Sequence, residues 1–116
     1  MNNNTYISIG GHQKILTTKI LMLKADINYT YIHFVDGSYM LTSTAIGVLE
    51  KRLSGFNFFR THRSTIINLQ YLSDFDYKFK IGSSSTINLI NGTKIPLSRR
   101  KIAVFLKTIK YFISLT

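Results

Sequence analysis

The chain is 116 residues long, has no cysteine, and carries 15 Lys and Arg against 5 Asp and Glu, a net charge of +10. That length suits one modest core and leaves no room for a second domain, and the missing cysteines exclude disulfides and thiolate metal sites and fit a reducing compartment. The first residues, MNNNTYISIG, lack the basic start and apolar run of a signal peptide, and no apolar stretch approaches the ~18 residues of a membrane span; a single cytoplasmic domain over residues 1–116 is expected.

Taken in chain order, YISI, Gly10-Gly11 and QKIL alternate apolar and polar residues around a two-residue turn, a hairpin signal. In YIHFVDGSYMLT the pair Asp36-Gly37 fits a type I′ turn, which sets Phe34 opposite Tyr39 and Ile32 opposite Leu41 on one face, with Tyr31, His33 and Val35 on the other. TSTAIGVLEKRL breaks the alternation: Ile46, Leu49 and Leu53 stand at helical spacing, Ser43 or Thr44 can cap and Gly55 can end a short helix. If Phe56 to His62 form a strand, Phe56, Phe58, Arg60 and His62 share one face, and Asn57, Phe59, Thr61 and Arg63 the other. DYKFKI alternates cleanly, and TINLINGTKIPL signals a hairpin around Asn91-Gly92 whose second strand is marked by Pro96 as an edge or strand end. In SRRKIAVFLKTIKYFISL, residues Ile102, Phe105, Leu106, Ile109 and Ile113 make an amphipathic stripe, with Ser98 at the N-cap position. The whole reads as a mostly β fold of small antiparallel sheets built from hairpins, with one short mid-chain helix and a C-terminal amphipathic helix.

The charge is unevenly placed. Lys14, Lys19 and Lys24 cancel Asp26, Asp36 and Glu50 in residues 1–50, so the whole excess lies in residues 51–116, where all five arginines also sit. A one-signed field repels itself, and its presence points to a polyanionic partner, nucleic acid before acidic membrane. Arginine's planar fork suits phosphate and guanine edges. The start of the last helix adds to this: Arg99, Arg100 and Lys101 occupy a first turn that favours acids, and an anion there would reverse the sign. In FRTHRSTIIN, Arg63 falls where a strand gives way to a loop, the usual place for a ligand-reaching side chain.

FRTHRSTIIN followed by Leu69, NGTKIPLSRRK further on, and KILMLKADINYTYIHFVDG upstream together resemble the LytTR family of bacterial transcription-regulator DNA-binding domains, collinearly from about Ile20 to the last helix. The resemblance implies binding of double-stranded DNA by loops that enter successive major grooves, at paired repeat sites, with a homodimer on DNA. It carries over to Asn28, Tyr29 and Thr30 in a first loop, Arg63 beside His62 and Ser64 in a second, and Arg99 beside Ser98 and Arg100 in a third. The family often has an acid where this chain has Lys24, which makes the first loop more electropositive. Such domains usually follow a receiver or a membrane sensor, for which 116 residues leave no room; the chain is either a stand-alone regulator or an excised piece.

Chemistry assigns roles within those loops. Arg63 and Arg99 suit guanine edges. Ser64, Ser98, Arg100, Lys101 and the hydroxyls of Tyr29 and Thr30 suit phosphate oxygens, while Arg60 and His62 are expected to support the second loop. No helix-turn-helix pair is present in the pattern. An enzyme is not expected: His62 and Ser64 with Asp74 or Asp76 downstream do not make a convincing constellation. His12, His33 and His62 lack metal-ligand spacing, and neither a cofactor nor a small-molecule substrate is expected. The main rival is a single-stranded nucleic-acid or RNA-binding β-module, since FNFFR and DYKFKI interleave aromatics with cations. A membrane-surface or protein-docking role for the final helix, with Lys101, Lys107 and Lys110 beside its stripe, is a third.

Overall fold

In a computed structural model, residues 5–76 and 85–115 are described. The chain forms two compact units, Met1–Asn68 and Leu69–Thr116. The fold is mostly β, as the alternating pattern predicts.

The first unit opens with a hairpin of β1 (Tyr6–Gly10) and β2 (Gln13–Leu16). Its turn is Gly11-His12 rather than the expected Gly10-Gly11: Gly10 pairs with Gln13 across a bulge, and both Gly11 and His12 have positive φ, as a type I′ turn requires. Gly10 is needed for another reason. At its φ of +109° a Cβ would lie 2.6 Å from Thr44 Oγ1.

A five-stranded antiparallel sheet follows, built from β3 (Ile20–Ala25), β4 (Thr30–Phe34), β5 (Tyr39–Thr42), β6 (Phe58–His62) and β7 (Thr65–Asn68) in the order β5-β4-β3-β7-β6. The β4–β5 register departs from the expected one by a single residue: His33 pairs with Tyr39, Ile32 with Met40 and Tyr31 with Leu41. The cause is the turn. Phe34 N donates to Ser38 O and Gly37 N donates to Phe34 O, which closes a three-residue loop with Gly37 at φ +91° rather than a two-residue type I′ turn. Because strand side chains alternate, the slip turns Met40 toward the core with Ile32 and leaves Tyr39 and Leu41 outside with Tyr31 and His33.

Helix α1 (Ile46–Arg52) lies between β5 and β6. Its N-cap is Ala45, which makes no capping bond. The expected caps fail because Thr44 Oγ1 donates to Ile9 O at 2.8 Å, toward the first hairpin, and Ser43 lies one residue further out. The core gathers one face of each element: Ile7 and Ile9 from β1, Ile20 and Leu23 from β3, Ile32 from β4, Ile66 from β7, and Ile46, Leu49 and Leu53 in and after α1.

In the second unit β8 (Leu72–Asp76), β9 (Ser85–Leu89) and β10 (Lys94–Leu97) form an antiparallel sheet in the order β10-β9-β8, so Pro96 does occupy an edge strand. The β9–β10 turn repeats the β4–β5 design: Leu89 N donates to Thr93 O, Gly92 N to Leu89 O, and Gly92 has φ +87°. Apart from Asp76, the DYKFKI segment lies outside the described residues. Helix α2 (Ile102–Leu115) follows a 3-10 turn at Arg99–Lys101. Ile102 and Phe105 are buried, and Phe105 meets Phe75 edge to face at 4.7 Å, whereas Ile113 is 63% exposed and so lies off the buried part of the expected stripe. No helix among the described residues is long and apolar enough to cross a membrane.

Candidate nucleic-acid interface

The sheet of the first unit brings two loops to one end. Ala25 ends β3 and pairs with Thr30 at the start of β4, while Lys24 pairs with Tyr31 on one side and with Thr65 of β7 on the other. Ala25 N donates to Ser64 O at 2.8 Å, tying the 26–29 loop to the Arg63-Ser64 turn. Asn28 and Tyr29 are exposed in the first of these loops, and Asp26 N closes it by donating to Tyr29 O at 2.8 Å. Thr30 is placed differently from the phosphate-binding role expected of it. It is 2% exposed and its Oγ1 donates to Thr44 O at 2.9 Å, so it anchors the loop from inside.

The second loop is a clamped turn. A bulge between Arg60 and His62 sets His62 opposite Thr65, buries Thr61 and puts Arg63 in the turn. Strand alternation therefore does not run unbroken from Phe56 to Arg63: β6 starts only at Phe58, and Arg63 shares no strand face with Thr61. Arg60 spreads its guanidinium over the turn. Nε donates to His62 O at 3.1 Å, one terminal nitrogen to Arg63 O, and the other to Glu50 Oε1 of α1 at 2.6 Å. Two carbonyls of the turn region thus gain a charged donor. Ser64 N donates to His62 Nδ1 at 3.2 Å, and Ser64 Oγ lies 2.9 Å from the same nitrogen. His62 Nδ1 therefore accepts, and the imidazole carries its proton on Nε2 when neutral. Ser64 is half-buried and held by the ring, while the Arg63 side chain is exposed and has no partner among the described residues. Asn68, which closes the motif, is buried with Nδ2 donating to Ile20 O at 2.8 Å.

Nothing in the spacing revealed Glu50 as the carboxylate behind Arg60. Ten residues separate them, and only the pairing of β6 with β7 beside α1 brings them together. The aromatics of FNFFR are not a free stacking surface, because Phe56 and Phe58 pack against the core. An aromatic cluster is formed instead by half-buried Tyr31 and His33 with exposed Tyr39, their ring centroids 5.9–6.3 Å apart. Burial and the nearby Lys24 ammonium push the His33 imidazole below its ordinary value of 6.5.

In the second unit, Ser98, Arg99 and Arg100 are exposed in the approach to α2, and Lys101 is half-buried. Ser98 has the backbone of an N-cap, but its hydroxyl makes no capping bond; Lys101 N donates to Ser98 O at 3.0 Å instead. The Arg99 and Arg100 side chains have no partner among the described residues. The described residues contain no group of three or more His, Cys, Asp or Glu able to hold a metal.

Residues 11–110 match the model of the LytTr DNA-binding domain. The chain is 34% identical over 96 residues to the sensory transduction protein LytT of Bacillus subtilis strain 168, covering 80% of the chain and 38% of that protein. It is 29% identical over 106 residues to LytT of Bacillus cereus strain ATCC 14579, covering 82% of the chain and 42% of the relative. The chain thus spans about two-fifths of the length of these relatives. A solved LytTr DNA-binding domain of a response regulator from Bacillus cereus superposes with a TM-score of 0.69 at 20% identity, over 94% of this chain and 98% of that one. With 100 of its residues matched by the family model, the chain belongs to the LytTR family of DNA-binding domains.

Proposed function

We propose that the chain binds double-stranded DNA sequence-specifically, through loops that enter the major groove, as the DNA-binding part of a bacterial transcriptional regulator in the cytoplasm. The observation that carries this reading is the clamped turn. Arg60 and His62 hold the backbone of residues 62–64, while the Arg63 side chain stands exposed near the 26–29 loop with no partner among the described residues. A fork-shaped cation on a rigid turn loses little freedom on meeting a guanine edge. Arg99 supplies a second such fork from the second unit, and residues 1–116 act as one DNA-binding domain. Ser64, Ser98, Arg100, Lys101 and Tyr29 contact phosphate, and Asn28 lies at the loop edge where base contacts form. Two copies bind paired repeats as a homodimer on DNA.

Selecting bound duplexes from a random pool, then competing the recovered site against its separated strands, tests this. A shared sequence and at least tenfold preference for duplex are expected. Equal affinity for the single strands would favour stacking on the cluster of Tyr31, His33 and Tyr39, in which the exposed ring of Tyr39 supports that second reading.

A further inference from the structure

Ile27 is 93% exposed, the most solvent-accessible of the large apolar side chains described. It does not belong to a frayed segment. Its own N–H donates to Asp26 Oδ1 at 2.7 Å, Asp26 N donates to Tyr29 O at 2.8 Å, and the strand end before it is tied to Ser64 O through Ala25 N. A β-branched side chain on a closed loop is stiff at χ1, so its methyl groups are held in place before any ligand arrives. Its chain neighbours Asp26 and Asn28 are polar and exposed, so Ile27 is the aliphatic side chain that this loop presents.

We propose that Ile27 is a specificity-determining residue that packs against the C5-methyl group of a thymine in the major groove. The inference rests on the duplex-binding reading above. Among base edges in that groove, the thymine methyl is the apolar feature, and it matches an isolated aliphatic side chain in size and chemistry. Ile27 shares the sheet end with Arg63, which places an apolar probe and a guanine-seeking fork on neighbouring loops. Together they read a thymine and a guanine, a combination that hydrogen bonding by Arg63 alone does not specify.

The test uses the full chain and the duplex recovered from the random pool, with each thymine replaced singly by deoxyuridine, which removes only the methyl group. At one position the replacement should weaken the unaltered protein about fourfold, the effect of one buried methyl. The same replacement should leave Ile27→Ala unchanged, and Ile27→Ala should bind a scrambled duplex as the unaltered protein does. Because Ile27 is exposed, its removal leaves the core intact. The inference is overturned if no thymine shows a methyl effect that depends on Ile27, or if Ile27→Ala weakens thymine and deoxyuridine duplexes equally, while the selected duplex is still preferred over the scrambled one. Loss of that preference in the unaltered protein overturns the duplex reading itself, and this inference with it.

Discussion

Arg63 and Thr30 both belong to the loops that the sequence marks for DNA, yet the structure gives their side chains opposite surroundings. The Arg63 side chain is exposed without a partner among the described residues, so Arg63→Ala should reduce discrimination between the selected site and one with its guanine changed by about 1–3 kcal/mol, measured by paired binding titrations. Arg100→Ala should weaken all duplexes alike and lower the slope of log K against log salt by about one unit. Thr30→Val should act on the fold instead: it leaves Thr44 O without its donor, and denaturant unfolding should register a loss of about 1 kcal/mol. Residue type and motif position singled out both residues. What they could not tell apart was a hydroxyl facing solvent from one turned inward, because the β4 register and the course of residues 43–45 past its start decide that.

At the scale of elements, the hairpins were legible as hairpins, and their turns were not. Asp36 and Asn91 each accept a bond from the N–H two residues on, at Ser38 and Thr93, and each precedes a glycine at positive φ. That chemistry serves two-residue and three-residue loops equally, and the difference of one residue decides which side chains of β5 are buried. The first hairpin is fixed by Gly10. Gly10→Ala should destabilise the protein by more than about 1 kcal/mol, seen as a lower denaturant midpoint, because the new Cβ meets the Thr44 hydroxyl and the backbone is held at φ +109°. The Arg60 clamp joins α1 to the second loop. As a partly exposed ion pair with Glu50 it contributes less than about 1 kcal/mol to stability, but Arg60→Lys gives up the fork that reaches two carbonyls at once. Its binding to the selected duplex should therefore fall severalfold while the unfolding midpoint moves little.

Across the whole molecule, the surplus of fifteen basic over five acidic residues acts in two directions. Added salt should raise the thermal midpoint of the free protein by screening self-repulsion and, over the same range, weaken DNA binding; calorimetry and binding titrations measure the two trends. A smaller pH effect comes from His33. Its imidazole lies below 6.5 in the folded state, so as pH falls through that value the unfolded chain takes up the proton more readily and stability declines. His33→Gln should show a shallower loss of stability between pH 7 and 5. Length, charge asymmetry, hairpin signals and the FRTHRSTIIN motif by themselves determined the mostly β class, the family and the segments that carry the cations, because each is written in local composition and spacing. Tertiary structure alone decided that Glu50 stands behind Arg60, that Thr30 turns inward, and that Ile27 stands out at the sheet end whose neighbouring loop carries Arg63. Each depends on strand register and on the approach of segments far apart in the chain, and a one-residue slip reverses a side chain's face without altering any local pattern.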